Sequence, residues 1–326
     1  MIVDNFGRPI NYLRLSVTDR CNLRCFYCMP AEGIHYLSKD QLLSYEEMYR
    51  IVKVLVDLGI TKIRITGGEP FVRKDLIEFL KTITGIKKLE SVSITTNGVL
   101  TGQFLHQLLE LGITRINLSL DSVDKNRFFE ITRRDLFDQV MKTLMEMLSM
   151  GFQVKINTVV MEDKNIQDLI PLAKLSQEYP VDVRFIEEMP FNGSGKARGE
   201  LSWNHIKILN ELKKNFPKLR KLDNPPATTT DNYQVPGFKG KTGIIAAYSR
   251  TFCGTCNRIR ITAQGQLKTC LYGEGVMDLK QLAREGISDQ KLRDLFLNKF
   301  KARPRNGFEA EKQRIALLES MSEIGG

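Results

Sequence analysis

The sequence predicts an α/β protein: a run of parallel strands joined by crossover helices, followed by a smaller C-terminal part. Three observations carry this expectation. Short stretches rich in Ile and Val alternate with stretches of helical spacing, six times in about 200 residues. Gly59, Gly112 and Gly151 stand where helices should stop. The alternation then ends at a Pro- and Thr-rich break, Asp223-Asn-Pro-Pro-Ala-Thr-Thr-Thr.

Along the chain, Leu13, Leu15 and Val17 alternate with polar neighbours and lead into a cysteine loop, so residues 12–17 read as a strand that delivers the loop. Ser44 with Glu47 three residues on is a capping box, opening a helix over 45–58 that Gly59 ends. Strand 62–66, helix 76–83, strand 91–95, helix 102–111 and strand 115–120 follow. Helical patterns run on to Met150, and then come strand 153–159, helix 166–178, strand 182–186 and a helical stretch at 202–216. The break places a domain boundary between 222 and 223, giving domains 1–222 and 223–326. The second carries helical patterns around 279–282 and 292–300. Six strand–helix units can wind as an open sheet or bend into a partial barrel, and periodicity does not choose between them. In either case the working face is the C-terminal edge of the strands.

Composition narrows the function classes. With 326 residues and 42% hydrophobic content the chain can bury a sizeable core without staples. Its net charge of +10 is diffuse, because 48 basic residues are interleaved with 38 acids and form no long block. Such basicity suits a polyanion such as a nucleotide and does not single out nucleic acid. No apolar run approaches the roughly 18 residues of a membrane span, and the start lacks a secretory pattern. A protein of a reducing, cytoplasmic compartment with no membrane partner is expected.

All six cysteines fall into two triplets. Cys21, Cys25 and Cys28, spaced C-x-x-x-C-x-x-C, can offer three thiolates to an iron–sulfur cubane and leave one iron open. Zinc, with His35 as a fourth ligand, and a redox Cys-x-x-Cys pair are the alternatives. Thr66-Gly67-Gly68-Glu69-Pro70 follows the second strand and alone would be a turn. Arg258 and Arg260, two apart beside the second triplet of Cys253, Cys256 and Cys270, lie on one side of an extended segment, where forked guanidiniums suit phosphate oxygens or surface ion pairs. His35, His106 and His205 form no triad or ligand pattern, and neither G-x-S-x-G nor a Walker loop is present.

The cysteine loop with Tyr27 before its third cysteine, followed by Gly-Gly-Glu-Pro after the second strand, resembles the radical S-adenosylmethionine (SAM) superfamily. The resemblance implies a partial (β/α)6 TIM-type barrel whose mouth is closed by a smaller cluster-binding C-terminal domain. The second triplet with Asn257-Arg258-Ile259-Arg260, together with Asn11 to Cys21, Phe185 to Pro190, Val235-Pro-Gly and the ending Gly325-Gly326, resembles the GTP 3′,8-cyclase family of molybdenum cofactor biosynthesis over essentially the full length. That family implies two 4Fe-4S clusters held by the two triplets, with no catalytic residue beyond the clusters. Tyr27, Gly67, Gly68, Glu69, Thr95, Ser119, Asn157 and Met189 are then expected to contact SAM. Arg14, Arg64, Lys155, Arg184, Arg258 and Arg260 are expected to contact GTP, and Gly325 and Gly326 to form a functional tail. The implied partners are an electron donor of flavodoxin or ferredoxin type, a downstream cyclic pyranopterin monophosphate synthase and a second copy in a homodimer. The segment Lys301 to Phe308 departs from the family in lacking the histidine of its Lys-Pro-x-x-His stretch. A radical SAM peptide maturase is the nearest enzyme alternative, although such proteins usually carry more cysteines. An electron carrier has no use for Gly-Gly-Glu-Pro, and an RNA binder should show aromatic stacking positions in a basic groove.

Overall fold

A computed structural model describes residues 2–30, 32–191, 201–314 and 320–325. The N-terminal part builds β1 (Tyr12–Ser16), α1 (Tyr45–Leu58), β2 (Lys62–Thr66), α2 (Leu76–Thr84), β3 (Ser91–Thr96), α3 (Leu105–Glu110) and β4 (Arg115–Ser119). It continues with α4 (Lys125–Thr132), α5 (Phe137–Ser149), β5 (Gln153–Val160), α6 (Leu169–Glu178), β6 (Asp182–Glu187) and α7 (His205–Asn215). Beyond these lie β7 (Arg220–Lys221), β8 (Asp231–Gln234), β9 (Thr242–Ile245), β10 (Arg258–Ile261), β11 (Gln266–Lys268) and β12 (Met277–Asp278). The chain closes with α8 (Leu279–Arg284), α9 (Asp289–Lys301), α10 (Gly307–Lys312) and α11 (Met321–Ile324).

Local chemistry explains the boundaries. Ser44 accepts from Glu47 N while the Glu47 side chain returns to the Ser44 amide, so α1 begins at the expected capping box and ends on Gly59 at φ +121°. The helix expected over 102–111 starts as a 3₁₀ turn at Thr101–Phe104, and that over 166–178 likewise starts as one at Ile166–Asp168.

One open sheet of twelve strands runs in the order β12-β11-β10-β1-β2-β3-β4-β5-β6-β9-β8-β7. Eight neighbours in it are parallel: β10, β1 through β6, and β9. The six strands expected from the N-terminal region are therefore flanked on each side by a parallel strand from beyond residue 223. Their alternation sends Leu13 and Leu15 of β1 and Val154 and Ile156 of β5 into the core beneath the helices. Tyr12, Arg14 and Asn157 project to the other side. A single hydrophobic core spans both halves, joining Ile63 and Leu80 to Ile259, Leu267 and Phe296. α8 and α9 extend the helical layer beside α1, where Arg50 meets Asp289 and Arg284 meets Glu47, each at 2.8 Å. A smaller cluster of Phe191, Tyr272, Ala310 and Ile324 secures the end of the chain.

Candidate active site

The C-terminal edge of the parallel strands surrounds a cavity of about 400 Å³. All six cysteines line it, and none forms a disulfide. The first loop is braced on two sides. Arg24 N donates to Thr132 O at 2.9 Å and Phe26 N to Ile131 O at 3.1 Å, seating it on the end of α4. Gly68 N and Glu69 N donate to Thr18 O and Arg20 O, both at 2.8 Å, so the Gly-Gly-Glu segment pairs with the chain entering the loop. A Cβ on Gly67 would lie 2.5 Å from Thr18 O and one on Gly68 2.4 Å from Arg20 O, which excludes any side chain at either position. The glycine pair thus has a structural duty, holding the cysteine loop against the second strand.

Glu69 is completely buried and does not line the cavity. Its carboxylate accepts from Phe71 N at 3.2 Å, Thr96 Oγ1 at 2.9 Å and Asn97 N at 2.7 Å, leaving little of a carboxylate's capacity of about four bonds. Burial pushes its pKa up to about 7 against those hydrogen bonds. Of the other residues expected at SAM, Tyr27, Gly67, Gly68, Thr95, Ser119, Asn157 and Met189 all line the cavity. Tyr27 donates to Asp121 Oδ2 at 2.7 Å, and burial pushes Asp121 up to about 6.

Arginines converge through strand register. β10 pairs with β1 so that Arg260 stands beside Arg14, and β1 with β2 so that Arg14 stands beside Arg64. These three, with Arg184 and Arg258, line the cavity. Burial first, and then Arg260, Arg64 and Arg258, hold Arg14 well below the usual guanidinium range. Arg184 and Arg260 are drawn to about 10, again mainly by burial, with Arg64 and Arg258 respectively adding repulsion. Lys155 is the exception. It stands outside the lining with Nζ 3.7 Å from Asp182 Oδ2. Gly325 O accepts from Arg260 Nη1 at 2.9 Å, while Gly326 lies outside the described residues.

The donor set fits iron–sulfur clusters and a polar nucleotide. Among the described residues, no three His, Cys, Asp or Glu side chains converge as a single-ion site requires, whereas a multi-iron cluster asks for thiolates around a wider centre. His35 is exposed and away from the cavity, which removes it as a zinc ligand to the first triplet. Burial raises Cys21 to about 11 and Cys28 to about 12 as thiols, disfavouring free thiolates there. For Cys256 burial opposes the thiolate, but Arg258 and Arg303 prevail and draw it to about 6. Buried Arg64 Nε, Arg184 Nε, Arg258 Nε and Nη2, Asn117 Nδ2 and Asn157 Oδ1 have no protein hydrogen-bond partner among the described residues, and all belong to side chains on the cavity wall. Such atoms call for a polar ligand.

Sequence reasoning missed Asn97, Asn117, Asp121 and Lys268, all on the cavity wall. Asn97 Nδ2 reaches Cys21 Sγ at 3.7 Å. Asn117 pairs in register with Thr95 and Lys155, and its polar side chain inside an Ile- and Leu-rich strand was the available signal. His205, given no chemical role, sits with Nδ1 2.8 Å from Glu187 Oε1 and 3.2 Å from Ser249 Oγ, a structural tie.

Comparison with known proteins agrees with this geometry. A family model described as the radical SAM superfamily matches residues 15–176, and one described as Molybdenum Cofactor Synthesis C matches 181–309. The GTP 3′,8-cyclase of Clostridium perfringens (strain 13) is 39% identical, with 99% of each chain covered. That of Thermodesulfovibrio yellowstonii is 40% identical over the same shares. Molybdenum cofactor biosynthesis protein 1 of Drosophila melanogaster is 41% identical over 90% of this chain, which spans 52% of that longer protein. Among solved structures, SuiB of Streptococcus suis bound to S-adenosylmethionine superposes with a TM-score of 0.62 at 16% identity, covering 88% of this chain and 68% of that one. That last likeness shows the partial-barrel fold alone.

Proposed function

The chain belongs to the GTP 3′,8-cyclase family, and we propose that it performs the reaction for which that family is named, cyclising GTP to (8S)-3′,8-cyclo-7,8-dihydroguanosine 5′-triphosphate at the start of molybdenum cofactor biosynthesis. The observation that carries this reading is that both thiol triplets and arginines from four strands open on one cavity.

Cys21, Cys25 and Cys28 would hold one 4Fe-4S cluster and Cys253, Cys256 and Cys270 another, each leaving one iron without a protein thiolate. With these groups and SAM bound, the chemistry supplied is radical formation from SAM and hydrogen abstraction at C3′ of GTP, ahead of the C3′–C8 bond. The chain's own work is binding and orientation. Tyr27, Gly67, Gly68, Thr95, Ser119, Asn157 and Met189 are assigned to SAM, with Glu69 as the buried tie beneath them. Arg14, Arg258 and Arg260 are assigned to the triphosphate, because a polyanion relieves repulsion among cations that lie side by side. Arg64 and Arg184 complete the substrate wall. Lys155 joins them if GTP draws it from Asp182.

We further assign the Gly325-Gly326 tail a role in ordering Arg260, and treat 1–222 as the part that carries the first cluster and SAM, and 223–326 as the part that carries the second cluster and the tail, within one sheet. A flavodoxin- or ferredoxin-type donor, a downstream cyclic pyranopterin monophosphate synthase, a homodimeric state and a cytoplasmic site are part of the same proposal. Among the described residues no helix is long and apolar enough to cross a membrane.

Anaerobic incubation with GTP, SAM and a strong reductant tests the reading. It should yield 5′-deoxyadenosine and a cyclised guanosine triphosphate together. Deoxyadenosine formed at the same rate without GTP rejects the substrate.

A further inference from the structure

The second cysteine triplet is gripped by an arginine that neither its motif nor the family reading assigns. Arg303, just beyond α9, is only 4% exposed. Its Nε donates to Thr269 O at 3.0 Å, beside Cys270; Nη1 donates to Cys256 O at 2.9 Å; and Nη2 donates to Arg258 O at 3.0 Å and to Cys256 Sγ at 3.1 Å. One guanidinium therefore spans both arms of the triplet and places a cationic donor directly on a ligand sulfur. Asp4 lies 3.6 Å from Nη1, but it is held more closely by Arg8 at 2.6 Å, so the cluster of three side chains keeps a net positive charge. At the first triplet Arg24 Nη1 donates to the carbonyls of Cys21 and Leu23, at 2.6 and 2.8 Å, while the side-chain amide that reaches Cys21 Sγ is the neutral Asn97 Nδ2, at 3.7 Å.

We propose that Arg303 is a positioning residue that makes the second iron–sulfur centre the easier of the two to reduce. This rests on the reading that Cys253, Cys256 and Cys270 hold such a centre. Adding an electron makes a cluster and its thiolates more negative. A hydrogen bond to sulfur and a nearby buried cation both stabilise that reduced state, while a neutral donor at longer range does so less. The two triplets are alike in ligand number and unlike in electrostatics, which sorts the electron toward the centre flanked by Arg258 and Arg260.

The test is a potentiometric titration of the reconstituted full chain followed by electron paramagnetic resonance, with the first centre identified by its response to SAM. Arg303→Gln removes the charge and should lower the reduction equilibrium of the second centre about tenfold, which is about 59 mV for one electron. The first centre should stay unmoved, as an internal control. Arg303→Lys keeps the charge but cannot span all four acceptors, and should shift the second centre in the same direction by less. A full iron complement with an unmoved potential in Arg303→Gln overturns the proposal. If Arg303→Gln loses the second centre, Arg303→Lys decides on the same criterion. A parent protein that assembles only the first centre refutes the underlying two-cluster reading instead, a result visible in the iron content before any variant is made.

Discussion

Arg260 donates through Nη1 to the carbonyl of Gly325 at 2.9 Å, linking the last turn of the chain to an arginine on the cavity wall. Gly325 has φ +81°, and a Cβ there would lie 2.6 Å from Ser16 Cβ and 2.9 Å from Thr66 Oγ1. Only glycine reaches this position, between the ends of β1 and β2.

Gly325→Ala should therefore release the tail and lower turnover about tenfold, the scale of one charge-assisted contact, with iron content unchanged. Turnover assays paired with iron analysis check this. Unchanged turnover would remove the tail from the mechanism.

Arg14 is crowded by like charges, so Arg14→Met should trade function for stability. Ligand-free protein should melt higher, by about 2 °C for each kcal/mol of repulsion relieved in a chain of this size. GTP affinity should fall about 10- to 100-fold. Thermal melts and equilibrium binding of GTP, run on the same preparations, would refute the idea if both moved downward.

The two triplets should load independently. The parent should carry about eight irons after anaerobic reconstitution, and the variant with Cys253, Cys256 and Cys270 all changed to Ala about four. A parent that saturates near four irons would contradict the two-cluster reading.

Glu69 sets a pH dependence. Its pKa in the fold is raised to about 7, so between about pH 4.5 and 7 the native state binds more protons than the unfolded one. Stability contributed by this group is fully present below pH 4.5 and is lost as pH rises through 7. Glu69→Gln should flatten that slope, and should also cost about 1–3 kcal/mol because an amide NH₂ replaces one of the two oxygens, Oε1 facing Thr96 and Phe71 or Oε2 facing Asn97. Unfolding of the reconstituted protein at pH 5, 6, 7 and 8 measures both effects; parallel profiles for parent and variant would show that Glu69 does not titrate in this range.

What could be read before the structure was local. The capping box of α1, the glycine stops and the strands with alternating Ile and Val are decided within a few residues, and they fall where expected. The short strands β7, β8, β9, β11 and β12 were not recognised, because two to four residues carry too little periodicity to tell a strand from a loop. Glu69 shows the same limit at the site: its motif marked it as a ligand contact, and its three protein donors come from Phe71, Thr96 and Asn97.

By itself the sequence determined the chemistry on offer: two sets of three thiolates, a glycine pair and arginines two apart, since spacing along one loop or strand fixes which groups can act together. Only the tertiary structure decided where these sets meet. β10 pairs parallel to β1, and that register sets Arg260, Arg14 and Arg64 side by side, brings Cys253, Cys256 and Cys270 to the same cavity as Cys21, Cys25 and Cys28, and lets Arg303 reach Cys256. Such pairing depends on burying Ile259 and Ile261 against a core built by distant residues, and that energy is not written in any one stretch of chain.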